Sequence, residues 1–378
     1  MIRLLHLSDV HLGAPFDDFG PRAEARRQEL LDAFRGLVQV ADQEAVHAVL
    51  IAGDLFDSPT PTDYTLSVVR QTLRRLVDAG RPVFLIPGNH DAITCNPALY
   101  DEPLGGAVAF KDPTFRTSVS VETEGGPLHV YGLAYDWAQP EPLDSFQRSD
   151  AAGTHVILAH GCMPGMTNWR WYPNALRIPA AWLDGVSADY VALGDSHVFR
   201  APDQLAAGRG RACYPGSFAA VDLTHPGPRG WVIVELEGDA VPRVRHQASP
   251  VRSGFDVGEV DVGDFVDEEG LAAAVAERAP SDSLPVLTLV GELSFPLQVE
   301  RLQQALAKRF PAASVTDRAW YAGSSRLDEL AERDTIVGHV VRLGRQRLEE
   351  AGRSADEAAP ELTERALRLA LRALRVEG

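Results

Sequence analysis

The chain has 378 residues, more than a typical single domain, and its 45% hydrophobic content excludes a disordered protein. The formal net charge of −17 excludes capture of nucleic acid by bulk positive charge, and the three scattered cysteines exclude a disulfide framework. The sequence begins directly with an apolar strand and holds no run that could span a bilayer, so we expect a cytoplasmic protein.

Residues 1–245 alternate short apolar runs with amphipathic segments, which is the pattern of a layered α/β domain. Apolar residues at helical spacing predict helices over Ala23–Ala41 and Thr65–Leu76. Apolar runs bounded by glycine and proline predict seven strands, namely Ile2–Leu7, Val46–Ala52, Val83–Ile86, Leu128–Leu133, Thr154–Leu158, Tyr190–Leu193 and Trp231–Glu235.

The composition becomes strongly acidic after Ser249. Helices over Leu271–Glu277 and Leu297–Phe310, with strands over Val286–Val290 and Ser314–Arg318, predict a small α+β cap at residues 250–325. Residues 330–378 are predicted to be helical and carry two apolar stripes, Ile336, Val337, Val340, Val341 and Leu348, then Leu367, Ala370, Leu371 and Leu374. We expect this segment either to bind a partner or to pack against the cap.

Polar motifs follow five of the predicted strands. In chain order they are Asp9-Val10-His11, Gly53-Asp54-Leu55-Phe56-Asp57, Gly88-Asn89-His90-Asp91, His160-Gly161 and Gly194-Asp195-Ser196-His197. Because open α/β sheets place their ligands at the carboxyl ends of the strands, we expect these motifs to converge on one crevice. Carboxylates, an amide and imidazoles gathered there predict a divalent-metal site and metal-assisted phosphoester hydrolysis.

This ordered set resembles the calcineurin-like metallophosphoesterases, whose pattern is D-x-H, G-D-x-x-D, G-N-H-D, H and G-H-x-H. Within that family the chain is most similar to DNA-repair exonucleases of the SbcD and YhaO type, through residues 5–13, Gly53–Asp57 and Tyr214-Pro215-Gly216-Ser217. The resemblance is strong over residues 1–245 and loose beyond them. It implies a four-layer α/β/β/α sandwich followed by a cap.

The resemblance also implies two divalent metal ions, manganese first, with iron(II) or magnesium as alternatives. The ligands that it implies are Asp9, His11 and His197 for one ion, Asn89, His160 and Asp195 for the other, and Asp54 between the two. A hydroxide that bridges the ions would attack the phosphorus atom in line.

His90 directly follows a predicted ligand, so its ring is expected to face the substrate. By resemblance it would stabilise the transition state or protonate the leaving oxygen, with Asp91 as the partner that orients it. Asp57 is expected either to orient a ligand or to cap the following helix. Asp195 departs from the family, which has a histidine there, and this change predicts either a hard carboxylate ligand or a weakened second site.

Aromatic and basic residues near the last two ligand motifs are candidates for contact with DNA. They are Trp169, Arg170, Trp171, Arg200 and Arg211. Indole rings stack on bases and guanidinium groups neutralise phosphates. The alternatives are a hydrophobic lid or a packing patch for the aromatic stretch and an ordinary hairpin for Gly208–Arg211.

The resulting hypothesis is a two-metal-dependent DNA nuclease, an exonuclease of DNA repair and recombination that acts on DNA ends or single strands. The resemblance implies a partner, an SMC-like coiled-coil ATPase of the SbcC or YhaN type that residues 330–378 would contact, and it leaves a homodimer open. Two alternatives stay open as well. One is a phosphomonoesterase or cyclic-nucleotide phosphodiesterase on the same core, and the other is a non-catalytic scaffold that binds DNA ends or the ATPase.

Overall fold

The computed structural model describes residues 1–101, 104–136, 142–164, 176–205, 208–221, 223, 227–293, 295, 297–321 and 324–353, with residues 363, 366, 367, 370, 371 and 374. The chain forms two compact units, residues 1–253 and residues 254–378. Each unit has a hydrophobic core of its own.

Two sheets form the centre of the first unit. One contains β1 (Ile2–Leu7), β2 (Ala48–Ala52), β3 (Val83–Ile86), β4 (Val108–Ala109), β10 (Gly230–Leu236) and β11 (Arg243–Ala248). The other contains β5 (Ser118–Thr123), β6 (Gly126–Gly132), β7 (Thr154–His160), β8 (Tyr190–Gly194) and β9 (Ala212–Cys213). The strand orders are β11-β10-β1-β2-β3-β4 and β5-β6-β7-β8-β9. Strand β10 is antiparallel to both of its neighbours, β5 is antiparallel to β6, and the other pairs are parallel.

The two sheets pack face to face. Leu4 and Phe84 of the first sheet and Val130 and Leu158 of the second are fully buried in one cluster between them. Helices α1 (Ala23–Gln43) and α2 (Asp63–Asp78) pack on each other, and α2 contacts β3 of the six-stranded sheet. Helix α3 (Ala180–Gly185) packs on the far side of the five-stranded sheet. This layering confirms the predicted α/β/β/α sandwich.

In the first unit the sequence missed all four strands at the sheet edges, β4, β5, β9 and β11. In β5 every second residue is exposed, and in β11 no residue is buried. The apolar runs that predict buried strands are therefore absent from both segments.

The second unit contains a parallel sheet in the order β12-β13-β15, with strands β12 (Gly254–Asp261), β13 (Leu284–Val290) and β15 (Ser314–Asp317). Parallel neighbours require crossover connections, which α4 (Glu268–Arg278) and α5 (Val299–Ala307) supply. A short parallel pair joins β14 (Glu292–Leu293) to β16 (Trp320–Tyr321).

Two further helices, α6 (Ser324–Glu332) and α7 (Ile336–Gly352), follow this sheet. Val341 of α7 and Leu330 of α6 form a buried cluster with Leu367 and Leu371. The two predicted apolar stripes therefore contribute to one small core. Among the described residues, no helix is both long enough and apolar enough to cross a membrane.

Candidate metal centre

Backbone conformation places the ligand side chains at the strand ends. Asp9, His11 and Asp54 have φ angles of 51°, 52° and 50°, and Asp195 has a φ of 96°, all in the left-handed region that residues other than glycine rarely adopt. Hydrogen bonds hold the first two turns together, since Asp9 donates its N–H to Gly53 at 3.1 Å and His11 donates to the Asp54 carbonyl at 3.0 Å. Such strain persists only where the surroundings over-determine the backbone, and it concentrates at functional sites.

Glycines in the motifs leave the room that the ligands occupy. A Cβ on Gly88 would lie 2.1 Å from Asp54 Oδ1. A Cβ on Gly194 would lie 1.9 Å from the Ala52 carbonyl oxygen and 2.7 Å from His160 Nδ1. No side chain fits at either position without displacing a ligand or its backbone.

The first group of ligands is Asp9, His11 and His197, whose ligand atoms lie within 4.8 Å of one another. His11 Nε2 lies 3.1 Å from His197 Nε2, and His197 Nε2 lies 4.0 Å from Asp9 Oδ1. The structure therefore brings together the three residues that were predicted for the first ion.

The second group is Asp9, Asp54 and His160. His160 Nε2 lies 2.9 Å from Asn89 Oδ1, 3.4 Å from Asp54 Oδ2 and 3.7 Å from Asp195 Oδ1. Its other nitrogen, Nδ1, donates to the Ala52 carbonyl at 2.9 Å, which directs Nε2 into the group.

Asp54 lies between the two groups. Its Oδ2 is 3.4 Å from His160 Nε2 and 3.7 Å from His11 Nε2, while its Oδ1 accepts the His90 N–H at 2.9 Å. A carboxylate that faces both imidazoles has the placement that a bridging ligand needs.

The electrostatics of the site fit a pair of cations. Burial raises the pKa of Asp9 to about 6. Burial also acts to raise the pKa of Asp54, but the attraction and hydrogen bond of His160 hold that pKa well below its usual range. Burial opposes protonation of His160, yet Asp54 and the other carboxylates raise its pKa well above 6.5.

Both ring nitrogens of His160 lie against acceptor oxygens, Nδ1 against the Ala52 carbonyl and Nε2 against Asn89 Oδ1. A proton on Nε2 therefore occupies the position that a metal ion would take. Carboxylate and amide oxygens with imidazole nitrogens form a donor set that suits divalent metal ions. The residues at this site fit a dinuclear divalent centre.

His90 lies at the open side of the centre, with 42% of its side chain exposed. Its Nδ1 donates to the carbonyl oxygen of Asp57 at 3.1 Å, and its ring centroid is 4.6 Å from that of His11. The contact at Nδ1 leaves Nε2 as the ring nitrogen available to a substrate.

The predicted role of Asp91 needs correction. Its buried carboxylate accepts the backbone N–H groups of Gly88 at 2.7 Å and Phe56 at 3.0 Å, and the hydroxyl of Tyr100 at 2.6 Å. Asp91 therefore holds its own loop together, and the group that contacts the His90 ring is Asp57. Adjacency in sequence misled the prediction, because the two neighbouring side chains leave the turn in different directions. Tyr100 was missed, since no motif marks it.

Asp57 contacts His11, a predicted ligand, as one of its two predicted roles requires. Its Oδ1 lies 3.1 Å from His11 Nδ1, a contact that directs His11 Nε2 toward the centre. The following helix, α2, is capped instead by Thr62, whose hydroxyl accepts the Thr65 N–H at 3.2 Å.

Asp195 contributes to both halves of the site. Its backbone N–H donates to the two carboxylate oxygens of Asp9 at 3.1 and 3.2 Å. Burial raises the pKa of the Asp195 carboxyl, and His160 acts in the opposite direction.

The candidate DNA contacts lie in different places. Arg200 is half-buried and follows the last ligand loop. Arg211 donates to the carbonyl oxygens of Asp189 and Asp239. Because Asp189 precedes β8, Arg211 lies at the end of that strand opposite Asp195. Trp169, Arg170 and Trp171 lie outside the described residues.

Residues 2–199 match the family model for calcineurin-like phosphoesterases. The chain belongs to this family, as its motifs predicted, and it is a metal-dependent phosphoester hydrolase of the class that uses a dinuclear divalent metal centre.

Proteins similar to this chain include archaeal DNA double-strand break repair proteins named Mre11. The chain is 29% identical over 312 residues to Mre11 of Halobacterium salinarum, over 80% of this chain and 74% of that protein. It is 31% identical over 296 residues to Mre11 of Haloferax volcanii, over 77% of this chain and 62% of that protein. It is also 25% identical over 248 residues to the uncharacterized metallophosphoesterase YhaO of Bacillus subtilis, over 62% of this chain and 57% of that protein.

Proposed function

We propose that the protein is a two-metal-dependent DNA nuclease that acts in DNA repair. The observation that carries this proposal is the position of His90, an exposed imidazole beside two groups of potential ligands, Asp9, His11 and His197 and then Asp9, Asp54 and His160, that share Asp9. The names of the archaeal relatives support DNA as the substrate class.

Each side chain has a distinct task in this proposal. Asp9, His11 and His197 would hold one ion, while Asn89, His160 and Asp195 would hold the second, with Asp54 between them. When bound, the ions supply a nucleophile at neutral pH and neutralise charge on the phosphate.

His90 supplies the proton that the leaving oxygen needs. Its Nδ1 is fixed by the Asp57 carbonyl oxygen, so Nε2 is the position from which it donates a proton or a hydrogen bond. The Asp57 carboxylate lies 3.8 Å from the same Nδ1.

The experiment is a cleavage assay on DNA labelled at defined ends, with manganese added to the metal-free protein. We expect cleavage by the unaltered protein and a loss of about 10²- to 10⁴-fold in turnover for His90→Ala, with DNA and metal binding retained. His339→Ala, which removes an exposed imidazole from α7, is the matched control. Faster hydrolysis of cyclic nucleotides or phosphomonoesters than of DNA would overturn the assigned substrate.

A substitution of Asp195 tests whether this residue binds the second ion. We propose that it replaces the family's histidine as a ligand and favours manganese or another hard ion. Elemental analysis after reconstitution is expected to give two ions per chain for the unaltered protein and one for Asp195→Ala. Asp203→Ala, an exposed acid in the same part of the chain, serves as the control. Two retained ions in Asp195→Ala would exclude this residue as a ligand.

We also propose that α7 binds a coiled-coil ATPase of the SMC-like class. Ile336 and Leu343 are 74% and 49% exposed, and their spacing of seven residues places both on one helical face. Apolar residues on one exposed face are what a helix-in-groove contact uses.

A binding assay with the purified ATPase would test this partner. The double variant Ile336→Glu, Leu343→Glu is expected to lose the ATPase, while Glu349→Lys, at another exposed position on α7, is expected to retain it. Equal recovery by all three proteins would remove this face as the binding surface.

A further inference from the structure

The segment Tyr214–Phe218 contains a sequence motif that the proposed chemistry does not use. Among the described residues, none of its side chains belongs to a group of metal-ligand atoms. The segment nevertheless contacts the backbone of three ligand loops.

Tyr214 reaches the loop of the second ligand group. Its side chain is fully buried, and its hydroxyl donates to the carbonyl oxygen of Gly161 at 2.8 Å. Gly161 directly follows His160, so this hydrogen bond fixes the backbone at the end of β7. Burial raises the pKa of the Tyr214 phenol well above 10, which keeps the hydroxyl a donor.

The next residues reach the loops of the first ligand group. The backbone N–H of Ser217 donates to the carbonyl oxygen of His197 at 3.1 Å. The backbone N–H of Phe218 donates to the carbonyl oxygen of Asp9 at 3.2 Å. One short segment therefore joins the backbones of two ligands that come from β1 and from the loop after β8.

Glycine is required where the segment passes the His197 loop. Gly216 has a φ of 81°, and a Cβ there would lie 2.8 Å from the Phe199 nitrogen and 3.2 Å from the His197 carbonyl oxygen. The segment and the ligand loop are therefore packed backbone against backbone.

Arg229 strengthens the same contact from the other side. Its side chain is only 3% exposed, and its guanidinium donates to the carbonyl oxygen of His197. The adjacent Gly230 N–H donates to the Ser217 carbonyl at 3.1 Å, which ties Arg229 to the segment. Burying a guanidinium raises the free energy of the folded state unless the group is hydrogen-bonded. The hydrogen bond of Arg229 to this carbonyl therefore indicates that Arg229 stabilises the His197 loop.

We propose that Tyr214–Phe218 and Arg229 form a positioning element that sets the spacing of Asp9, His160 and His197 for metal binding. The inference rests on the metal centre proposed above. These residues touch no substrate, and they act through the backbone of the ligand loops. Removing groups that orient metal ligands lowers metal affinity by about 10- to 100-fold.

The test is calorimetric titration of manganese into the metal-free, full-length protein. Tyr214→Phe removes only the hydroxyl that holds Gly161, and we expect about tenfold weaker binding. The matched control is Tyr190→Phe, which removes a buried hydroxyl that lies 2.8 Å from His6 Nδ1 rather than against a ligand loop. We expect the control to keep the unaltered affinity, although both variants lose stability.

Arg229→Lys is the second variant, because it keeps a buried cation and removes the planar donor group. It is expected to weaken manganese binding to a similar extent. If Tyr214→Phe and Arg229→Lys both bind manganese as tightly as the unaltered protein does, the positioning role is wrong and the proposed function still stands. Failure of the unaltered protein to bind manganese would overturn both.

Discussion

At the scale of single residues, the site depends on side chains that hold the ligands as well as on the ligands themselves. The carboxylate of Asp57 directs His11 toward the centre, and its backbone carbonyl fixes the ring of His90. One residue thus links the first ligand group to the imidazole that is proposed to meet the substrate. Orienting contacts of this kind set the ring direction and the basicity of an imidazole ligand.

Asp57→Ala is expected to lower manganese affinity by about 10- to 100-fold, because His11 loses the acceptor that orients its ring. Asp57→Asn should recover part of the loss, since its amide oxygen still accepts from Nδ1. Metal titration measures the effect, with Asp63→Ala, an exposed acid at the start of α2, as the control. Equal affinity in Asp57→Ala and Asp63→Ala would contradict this role.

At the scale of elements, the site residues lie at the joints between strands and loops. Gly194 ends β8 directly against the Ala52 carbonyl oxygen, whereas Gly36 lies within α1 with nothing within 4 Å of a built Cβ. The two glycines therefore differ in whether a side chain could be accommodated.

Gly36→Ala is expected to raise the free energy of unfolding by about 0.5–1 kcal/mol, because alanine loses less conformational entropy than glycine in a helix. Gly194→Ala is expected to lower it by about 1–3 kcal/mol through overpacking, and also to weaken metal binding. Urea denaturation of the two variants measures both values. A stabilised Gly194→Ala variant would show that this joint is not tightly packed.

At the scale of the whole first unit, one buried histidine connects the two sheets. His6 lies on β1 of the six-stranded sheet, and its Nδ1 is 2.8 Å from the hydroxyl of Tyr190 on β8 of the five-stranded sheet. Burial lowers the pKa of His6 from 6.5 to about 3. The neutral ring is therefore the form that the folded protein holds between its sheets.

This lowered pKa makes stability depend on pH. Below pH 6.5 the unfolded chain binds a proton at His6, whereas the folded protein binds that proton only below about pH 3. The contribution of His6 to the free energy of unfolding is therefore fully present above pH 6.5, and it is lost as the pH falls from 6.5 to about 3. Within this window the titration of His6 lowers the free energy of unfolding by about 1.4 kcal/mol for each pH unit.

The measurement compares unfolding free energies at several pH values for the unaltered protein and for His6→Gln, which carries no titrating group. We expect His6→Gln to be less stable at neutral pH and to lose less stability than the unaltered protein on acidification to about pH 5. Parallel pH profiles would refute a titration of His6 in this window.

Much of the fold followed from local pattern. Strand β2 is buried throughout and α2 has a clear apolar face, and both were predicted to within two residues at each end. The edge strands β5 and β11 were missed because they lack continuous apolar runs. The candidate ligand residues were predicted because each lies close to the end of a predicted strand, where the chain must leave the sheet.

Residue type and position after an apolar run are local properties, so the amino-acid sequence alone specifies which side chains lie at the strand ends. How those side chains are held depends on the folded chain. The contact of Asp57 with His11, the hydrogen bond that Asp91 accepts from Phe56, and the hydrogen bonds of Tyr214 and Arg229 to ligand loops join residues far apart in the chain. Such contacts depend on which strand ends the folded chain brings together, and no local pattern records that arrangement.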